Sequence, residues 1–402
     1  MVGSGGREHA LAWKLTLSPE LEELHAAPGN PGIARLGRCH PIRVDDVEGL
    51  LGLSRQHAVD LVVIGPEAPL VAGIADHLRR AGVAVFGPGA EAARIEGSKA
   101  FAKEIMRSAG VPTAAELTEP RAPCVVKADG LAAGKGVFVC RTQAEADEGW
   151  RRASGLGGDV VIEELLEGEE VSLFGMTDGA EVLPLAPAQD FKRLRDGDEG
   201  PNTGGMGSYS PVPFLDPEQV DELVERVHRP VIEELASRGT PFVGLLYAGL
   251  MLTDEGPRVL EFNCRFGDPE TQAIVPRLEG DFLGTLAGAA AGTLHSAELS
   301  AGSQAAVTVV VAAEGYPDKP LVGAPIAGVE EAEAPEALVF HAGTALREGG
   351  LVSAGGRILN LTGLGDSIQE ARDRAYEALE HIDLPGAQFR TDIAMKAIHV
   401  PG

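Results

Sequence analysis

The chain has 402 residues and a formal net charge of −26. That length accommodates about two to four domains, and the surplus of acid excludes a nucleic-acid partner as a working expectation, because phosphate backbones are bound by clustered Lys and Arg. No apolar run reaches the roughly 18 residues of a membrane span, and MVGSGGREHA lacks the basic start and apolar core of a signal peptide, so a cytoplasmic protein that makes no membrane contact is expected.

The first predicted element is a glycine loop opening a helix, GSGGREHA (3–10). Glycines let backbone N–H groups approach a phosphate at a helix N-terminus, which makes Gly5 and Gly6 candidate ligand contacts. The dinucleotide fingerprint is not met: Glu8 holds the third glycine's place, and HAAPGNPG (25–32) follows where a strand ending in acid is required. A monophosphate site and a plain tight turn are the two readings. Only Met1 and Val2 precede the loop where a full strand is expected, so either the first strand is clipped or the start codon is misplaced. VDLVVIGPE (59–67) and GVAVFGP (82–88) read as buried strands. Between them, Val71, Ile74, Ala75 and Leu78 have helical spacing over 70–82. That βαβ pattern predicts an open parallel α/β domain over residues 1–98, with its loops gathered at the strand ends.

In the middle, APCVVKADG (122–130), GVFVC (136–140), DVVIEELL (159–166) and VSLFGMTDGAEVLPLAPAQ (171–189) predict a small antiparallel sheet, with Asp178-Gly179 as a hairpin signal. Lys127 sits inside an apolar strand, where an unpaired ammonium is costly, so an anion is expected beside it, and a phosphate supplies one. GLAAGKGV (130–137) is not a P-loop, because the chain extends after Lys135 instead of opening a helix. It reads as a glycine hairpin, with Gly134 and Gly136, closing over a nucleotide's phosphates. EELLEGEEVS (163–172) reads as a nucleotide hinge, with backbone groups near Leu165 and Leu166 facing adenine and Glu170 holding ribose; a merely acidic loop is the alternative. DFKRLRDGDEGPNTGGMGSYSP (190–211) is a long glycine- and charge-rich loop of the functional or disordered kind. Asp190, Lys192, Asn202, Thr203 and Gly205 are its candidates for substrate contact. Residues 218–236 have helical spacing, with Pro230 as an objection to a straight helix.

VLEFNCRFGDPETQ (259–272) carries Glu261, Asn263 and Arg265 at every second position, alternating with Leu260, Phe262, Cys264 and Phe266. On a strand this gives one apolar face and one polar face; a solvent-facing strand is the bland alternative. Glu261 and Asn263 offer hard oxygens of the kind Mg²⁺ takes alongside nucleotide phosphates. Arg265 is placed to stabilise charge on a transferring phosphoryl group. From about residue 296, AAVTVVVAAEGYP, ALVFHAGT and GGRILNLTG predict strands and 368–382 an amphipathic helix, while VEEAEAPEA (329–337) reads as a solvated loop. Cys39, Cys124, Cys140 and Cys264 form no CxxC pair and are expected to be buried free thiols. No histidine has metal-ligand spacing such as HExxH or pairs with a nucleophile; His9 is expected to cap or pack. No GxSxG elbow is present.

GSGGREHA, APGNPG, GPEAPLVAG, EGSKAFAKE, VVKADGLAAGKGV, EELLEGEEVS, NTGGMGSYSP and EFNCRFGDPETQ, in this order, resemble the phosphoribosylamine–glycine ligase family of the ATP-grasp superfamily, over essentially the whole chain. The resemblance implies an N-terminal α/β domain (1–98), an ATP-grasp domain (99–295) with an antiparallel lid at about 119–180, and a C-terminal mixed β/α domain (296–402). It implies ligation of glycine to 5-phosphoribosylamine in purine biosynthesis, with ATP converted to ADP and phosphate through glycyl phosphate. Lys99 and Lys127 would bind ATP phosphates, Glu163, Leu165 and Leu166 would lie at the adenine hinge, and Glu170 at ribose. Glu261 and Asn263 would hold Mg²⁺ or Mn²⁺. Arg265, Gly267 and Asp268 would surround the γ-phosphate and glycine, making Arg265, Asp268 and Lys127 the catalytic candidates. Gly5, Gly6, Asn30 and Glu67 would hold phosphoribosylamine. A monomer with transient contacts to neighbouring pathway enzymes is expected. The rivals are another carboxylate–amine ligase of the same superfamily and a non-catalytic ATP-binding regulator.

Overall fold

The computed structural model describes residues 1–131, 136–296 and 299–398. The first segment forms strands β1 (Val2–Gly3), β2 (His25–Pro28), β3 (Arg38–Cys39), β4 (Leu61–Val63) and β5 (Ala84–Phe86), with helices α1 (Gly6–Leu15) and α2 (Val47–Gln56) among the connections. β1 pairs with β2, β2 with β3, and β4 with β5, all parallel. A parallel bridge from Val2 to Ile64 joins the two sets, giving the order β3-β2-β1-β4-β5. The apolar faces of Val2, Val62, Ile64 and Val85 bury against helices carrying Leu50, Leu70, Ile74 and Leu78. The span 70–82 is not one helix. Short helices at Glu67–Val71 and Ile74–Arg80 flank Gly73, whose φ of 84° is a left-handed conformation that an α-helix does not continue through.

Helix α3 (Lys99–Ala109) leads to a three-stranded antiparallel sheet in the order β7-β6-β8, made of β6 (Cys124–Ala128), β7 (Val137–Cys140) and β8 (Val160–Glu164), and covered by α4 (Gln143–Gly155). This small sheet is narrower than the sequence suggested. β9 (Glu169–Asp178) and β10 (Val182–Asp190), the hairpin turning at Asp178-Gly179, belong instead to an eight-stranded sheet. The reason is length and burial: β9 is buried over seven consecutive residues from Val171 to Thr177, which calls for strands on both sides and cover on both faces.

The large sheet runs β13-β12-β9-β10-β11-β14-β16-β15 among the described residues, with β11 (Gly207–Ser210), β12 (Val243–Thr253), β13 (Gly256–Asn263), β14 (Ala305–Ala312), β15 (Ala337–His341) and β16 (Arg357–Gly365). The C-terminal strands therefore extend the same sheet that carries residues 256–263. Helix α5 (Pro217–Ser237) packs one face through Val220, Leu223, Val227, Val231 and Leu235, and continues through Pro230. Helix α6 (Glu270–Ile274) lies beyond β13, and α7 (Ile368–Glu380) covers β14 and β16 through Ala371, Ala375 and Leu379.

Three local expectations change. The stretch 190–211 is not structureless: residues 193–195 and 199–202 form a small antiparallel arm, and 207–210 is β11 of the large sheet. The acidic run 329–337 contains a short helix, Val329–Ala332, whose Val329 and Ala332 are buried. Cys124, Cys140 and Cys264 are buried free thiols as expected, whereas Cys39 is only partly buried. No helix among the described residues is long and apolar enough to cross a membrane.

Candidate functional site

The polar face of the large sheet is set by register. Asn263 faces Tyr247 and Glu261 faces Gly249 across β13 and β12, and on the other side Gly249 and Met251 face Ser172 and Glu170 of β9. Asp190 follows on β10, two residues from Ala188, which faces Ser172. Because alternate residues share a face, Glu261, Asn263, Glu170 and Asp190 line one side of four adjacent strands. Gly249 leaves room there: a Cβ on it would stand 3.4 Å from Glu261 Cγ. The opposite side carries Leu246, Ala248, Leu250, Val171 and Leu173 into the main core.

The strand of the 259–272 motif is shorter and less regular than its alternation suggests. β13 stops at Asn263, and a bulge lies where the pairing passes from Gly249 to Leu250. The bulge leaves Leu260 unpaired and turns its carbonyl toward Lys127, whose Nζ donates to it at 2.8 Å. Arg265 lies past the strand end. Its guanidinium sits 3.3 Å from Glu67 Oε2 and 3.2 Å from Glu96 Oε1, so it ties the motif to the first segment. Glu96 also accepts from the Cys264 N–H at 2.8 Å. Burial works to raise the Glu67 carboxyl, but Arg265 and Arg7 outweigh it and hold the group below its usual range.

Lys127 is buried, as its apolar strand required, and its anion is Glu163. The Glu163 carboxylate bridges two ammonium groups, at 2.6 Å from Lys127 Nζ and 2.6 Å from Lys103 Nζ. The anion expected beside Lys127 is thus supplied within the protein by Glu163, a pairing that joins lid strands β6 and β8 to helix α3. Glu163 therefore presents no free carboxylate to an adenine. Leu165 and Leu166 occupy the link from β8 to β9, between the small sheet and the large one, and are half-buried. Lys99 opens α3. Its backbone N–H and the Ser98 hydroxyl donate to Asp129, and its Nζ reaches the Gly130 carbonyl at 3.0 Å. Gly136 lies at the start of β7, where its carbonyl accepts from the Ala128 N–H. Gly134 lies outside the described residues.

The charges converge on Glu261. Burial would raise its carboxyl, but Lys192, Lys127, Lys99 and Arg265 together hold it below the usual carboxylate range. Asp190 behaves oppositely: burial, reinforced by Glu270, Glu170 and Glu261 and opposed by Lys192, pushes its carboxyl well up. Lys192 is ion-paired with Glu170. Tyr247 donates to Glu270 Oε1 at 2.8 Å and shares a 2.8 Å hydrogen bond with Ser172. Oxygen donors crowded in this way, with the Asp190 carboxyl driven toward its neutral form by burial and then by its acidic neighbours, suit a hard divalent cation, which offsets both.

The first-segment loops meet the motif from the other side. Gly5 caps α1, its N–H donating to Glu8 Oε2 at 2.5 Å, and a Cβ on it would stand 3.4 Å from Asp268 Oδ2. A Cβ on Gly6 would strike Asn360 Nδ2 at 2.2 Å and Gln272 Nε2 at 2.7 Å. Much of the glycine requirement in GSGGREH comes from Glu8, which is buried beneath Gly3, Gly5 and Gly65. Asn30 spends its amide on the fold, donating to the carbonyls of Ser4 and His341 and accepting from Ile33 N–H. Thr203 likewise donates to the Lys192 carbonyl and accepts from Gly205 N–H, and Asn202 pairs with Arg193 in the arm. Gly205, at φ 106°, packs against Pro269. The Gly267 carbonyl accepts from Thr271 N–H at 3.3 Å.

Several residues escaped sequence reasoning. Lys103 was legible: it stands four residues after Lys99, on the same helix face. The contacts that bring Glu96 to Cys264, Arg7 to Phe266, Arg357 to Asp268 and Asn360 to Gly6 had no local signal, because each joins groups 89 or more residues apart in the chain. His9 packs as expected, its Nδ1 accepting from the His341 N–H at 2.8 Å.

The chain matches the phosphoribosylglycinamide synthetase N domain over residues 1–96, its ATP-grasp (A) domain over 97–271 and its C domain over 306–396. It belongs to the phosphoribosylglycinamide synthetase family. The phosphoribosylamine–glycine ligase of Streptomyces coelicolor is 53% identical, over 99% of this chain and 98% of its own. That of Leifsonia xyli subsp. xyli is 51% identical, over 99% of each. The solved phosphoribosylamine–glycine ligase of Thermotoga maritima superposes with a TM-score of 0.84 at 36% identity, covering 98% of this chain and 99% of its own. A biotin carboxylase domain solved with MgADP and bicarbonate, from Hydrogenobacter thermophilus, shares the fold at a TM-score of 0.71 and 18% identity, covering 96% of this chain and 90% of its own. The family's three-part architecture, with an ATP-grasp fold at its centre, accounts for the parallel first sheet, the small antiparallel sheet and the large one.

Proposed function

We propose that this synthetase-family chain ligates glycine to 5-phosphoribosylamine, converting ATP to ADP and phosphate. The observation that carries the reading is the convergence of Lys99, Lys127, Lys192 and Arg265 on the buried Glu261. Such an array holds a polyanion and a carboxylate-bound cation side by side, and relatives about 50% identical over nearly the whole chain carry the ligase name.

In this reading glycine's carboxylate attacks the γ-phosphate of ATP, forming glycyl phosphate and ADP. The amine of phosphoribosylamine then attacks the acyl carbon, the bond to the phosphate oxygen breaks, and the surplus proton on nitrogen leaves with the phosphate. No side chain need remove a proton before the first attack, because the carboxylate is already ionised. Lys99 and Lys127 neutralise the triphosphate, and the link at Leu165 and Leu166 offers backbone groups to adenine. Glu261 and Asn263 hold Mg²⁺ or Mn²⁺, with Asp190 and Glu270 within electrostatic reach. When bound, that cation supplies charge neutralisation at the phosphates. Gly5, facing Asp268, and Gly6, facing Asn360 and Gln272 at the start of α1, take the phosphoribosylamine, with Glu67 at the start of the short helix 67–71. The small sheet closes over the site and excludes water while the anhydride lives. The domains are read as 1–98, 99–295 and 296–402, in a cytoplasmic monomer.

The test is ADP release with each co-substrate omitted in turn. Release that requires glycine and phosphoribosylamine together supports the ligase. Release that follows formate or bicarbonate instead supports a different ligase of the same fold, and ATP binding without turnover supports a regulator.

A further inference from the structure

The first segment carries a histidine cluster away from the strand face described above. His25 stands on β2, His40 directly after β3, and His57 caps the C-terminus of α2. Their spacings in sequence, 15 and 17 residues, match no familiar metal motif, yet the fold brings one ring nitrogen from each within 4.8 Å of the others. His25 Nδ1 and His40 Nε2 are already 2.9 Å apart. The ring centroids of His25 and His57 lie 4.2 Å apart, and those of His40 and His57 5.4 Å. All three residues are partly buried, so a solvent path to them exists.

We propose that His25, His40 and His57 form a binding site for a borderline transition-metal dication such as Zn²⁺. Two nitrogens bound to one tetrahedral Zn²⁺ at about 2.0–2.1 Å lie roughly 3.3 Å apart, close to the His25–His40 separation. Side-chain rotation of His57 closes the remaining distance. A carboxylate that would orient one of the ligands is also present. Glu23 Oε2 lies 3.0 Å from His25 Nε2, so it accepts that N–H, fixes the tautomer and leaves the Nδ1 lone pair for a metal. Imidazole ligands favour Zn²⁺, Co²⁺ or Cu²⁺ over Mg²⁺, which separates this site chemically from the oxygen-lined face at Glu261. The fourth position is left to water. Bound metal would clip two strands of the parallel sheet, β2 and β3, to helix α2, so its role is structural. Cys39 is not a ligand, because its sulfur packs on the backbone at Gly29 and lies 3.8 Å from the Asn30 carbonyl.

The experiment titrates metal-stripped full-length protein with Co²⁺ alone, without nucleotide. One equivalent should bind with the visible ligand-field bands of four-coordinate Co²⁺, be displaced by Zn²⁺, and raise the melting temperature. His40→Asn and His57→Asn should each abolish the bands and the thermal shift while leaving Mg²⁺-supported ligation unchanged. Should either variant fail to fold, Glu23→Ala serves in its place, with an affinity loss of about 10–100-fold expected for a second-shell partner. Absence of four-coordinate bands in the wild-type protein, or bands that persist unchanged in both histidine variants, overturns the proposal and leaves the trio as packed imidazole rings, two of them hydrogen-bonded.

Discussion

Arg357, on strand β16, lies 3.3 Å from Asp268 Oδ2 and donates to the Asp268 carbonyl at 2.6 Å. The same guanidinium donates to the Gly204 carbonyl. One C-terminal side chain thus fastens the end of the β13 motif and the glycine-rich loop before β11. Burial works to raise the Asp268 carboxyl, but Arg357, Arg7, the Gln272 hydrogen bond and Arg265 outweigh it and keep the group ionised.

Arg357→Ala is expected to lower kcat/KM by about 100-fold, because both segments beside the reacting groups lose their anchor and small displacements are costly there. It also leaves a largely buried Asp268 carboxylate short of a partner, at about 3 kcal/mol of stability. Arg357→Lys should recover part of the stability and little of the rate, since an ammonium cannot make the forked contacts. Steady-state kinetics beside urea unfolding separates the two effects; equal rates in wild type and Arg357→Ala would remove the residue from the site.

Glu163→Gln leaves Lys103 and Lys127, only 5% and 7% exposed, without their shared carboxylate. The expected cost is about 3–5 kcal/mol, read as a lower urea midpoint at unchanged slope. If the midpoint stays in place, the bridge contributes nothing and Lys127 has to be explained by a ligand alone.

Acid should weaken the fold through Asp268 and Glu261. Both carboxyls are held below their ordinary values of 3.8 and 4.5. Their contribution is therefore fully present above those values and is lost as pH falls through the depressed ones. Urea midpoints followed from about pH 6 to about pH 3 should decline, and Asp268→Asn should flatten the decline because the titrating group is gone. An acid limb identical in wild type and variant would show that Asp268 is not held down by its arginines.

Glu261→Gln should cut Mg²⁺-dependent turnover by about 100-fold or more, above the loss typical of second-shell changes, with a much smaller effect on the melting temperature. Chelation should abolish turnover in the wild type and excess Mg²⁺ should restore it. Full activity of the variant at low Mg²⁺ would move the cation elsewhere.

Periodicity alone marked out the parallel first segment, the lysine-bearing strand within 122–130, the helical spacing over 218–236 and the polar alternation at 261 and 263. These are local patterns: side-chain direction follows from backbone geometry, and the apolar partner of each element need only exist somewhere in the chain. The same logic misplaced the 169–190 hairpin, because pattern shows that a strand is buried but not which sheet buries it. It also carried the strand through Arg265, since no alternation reveals a bulge or an early strand end.

The sequence by itself determined which residues were chemically equipped for phosphate and metal: the lysines, the hard-oxygen pair and the glycine loops. Only the tertiary structure decided how they were partnered. It gave Glu163 to Lys127, Glu67 and Glu96 to Arg265, Arg357 to Asp268, and three distant histidines to one another. Ion pairing acts through space over a few ångströms, and chain separation carries no information about which distant groups folding brings that close.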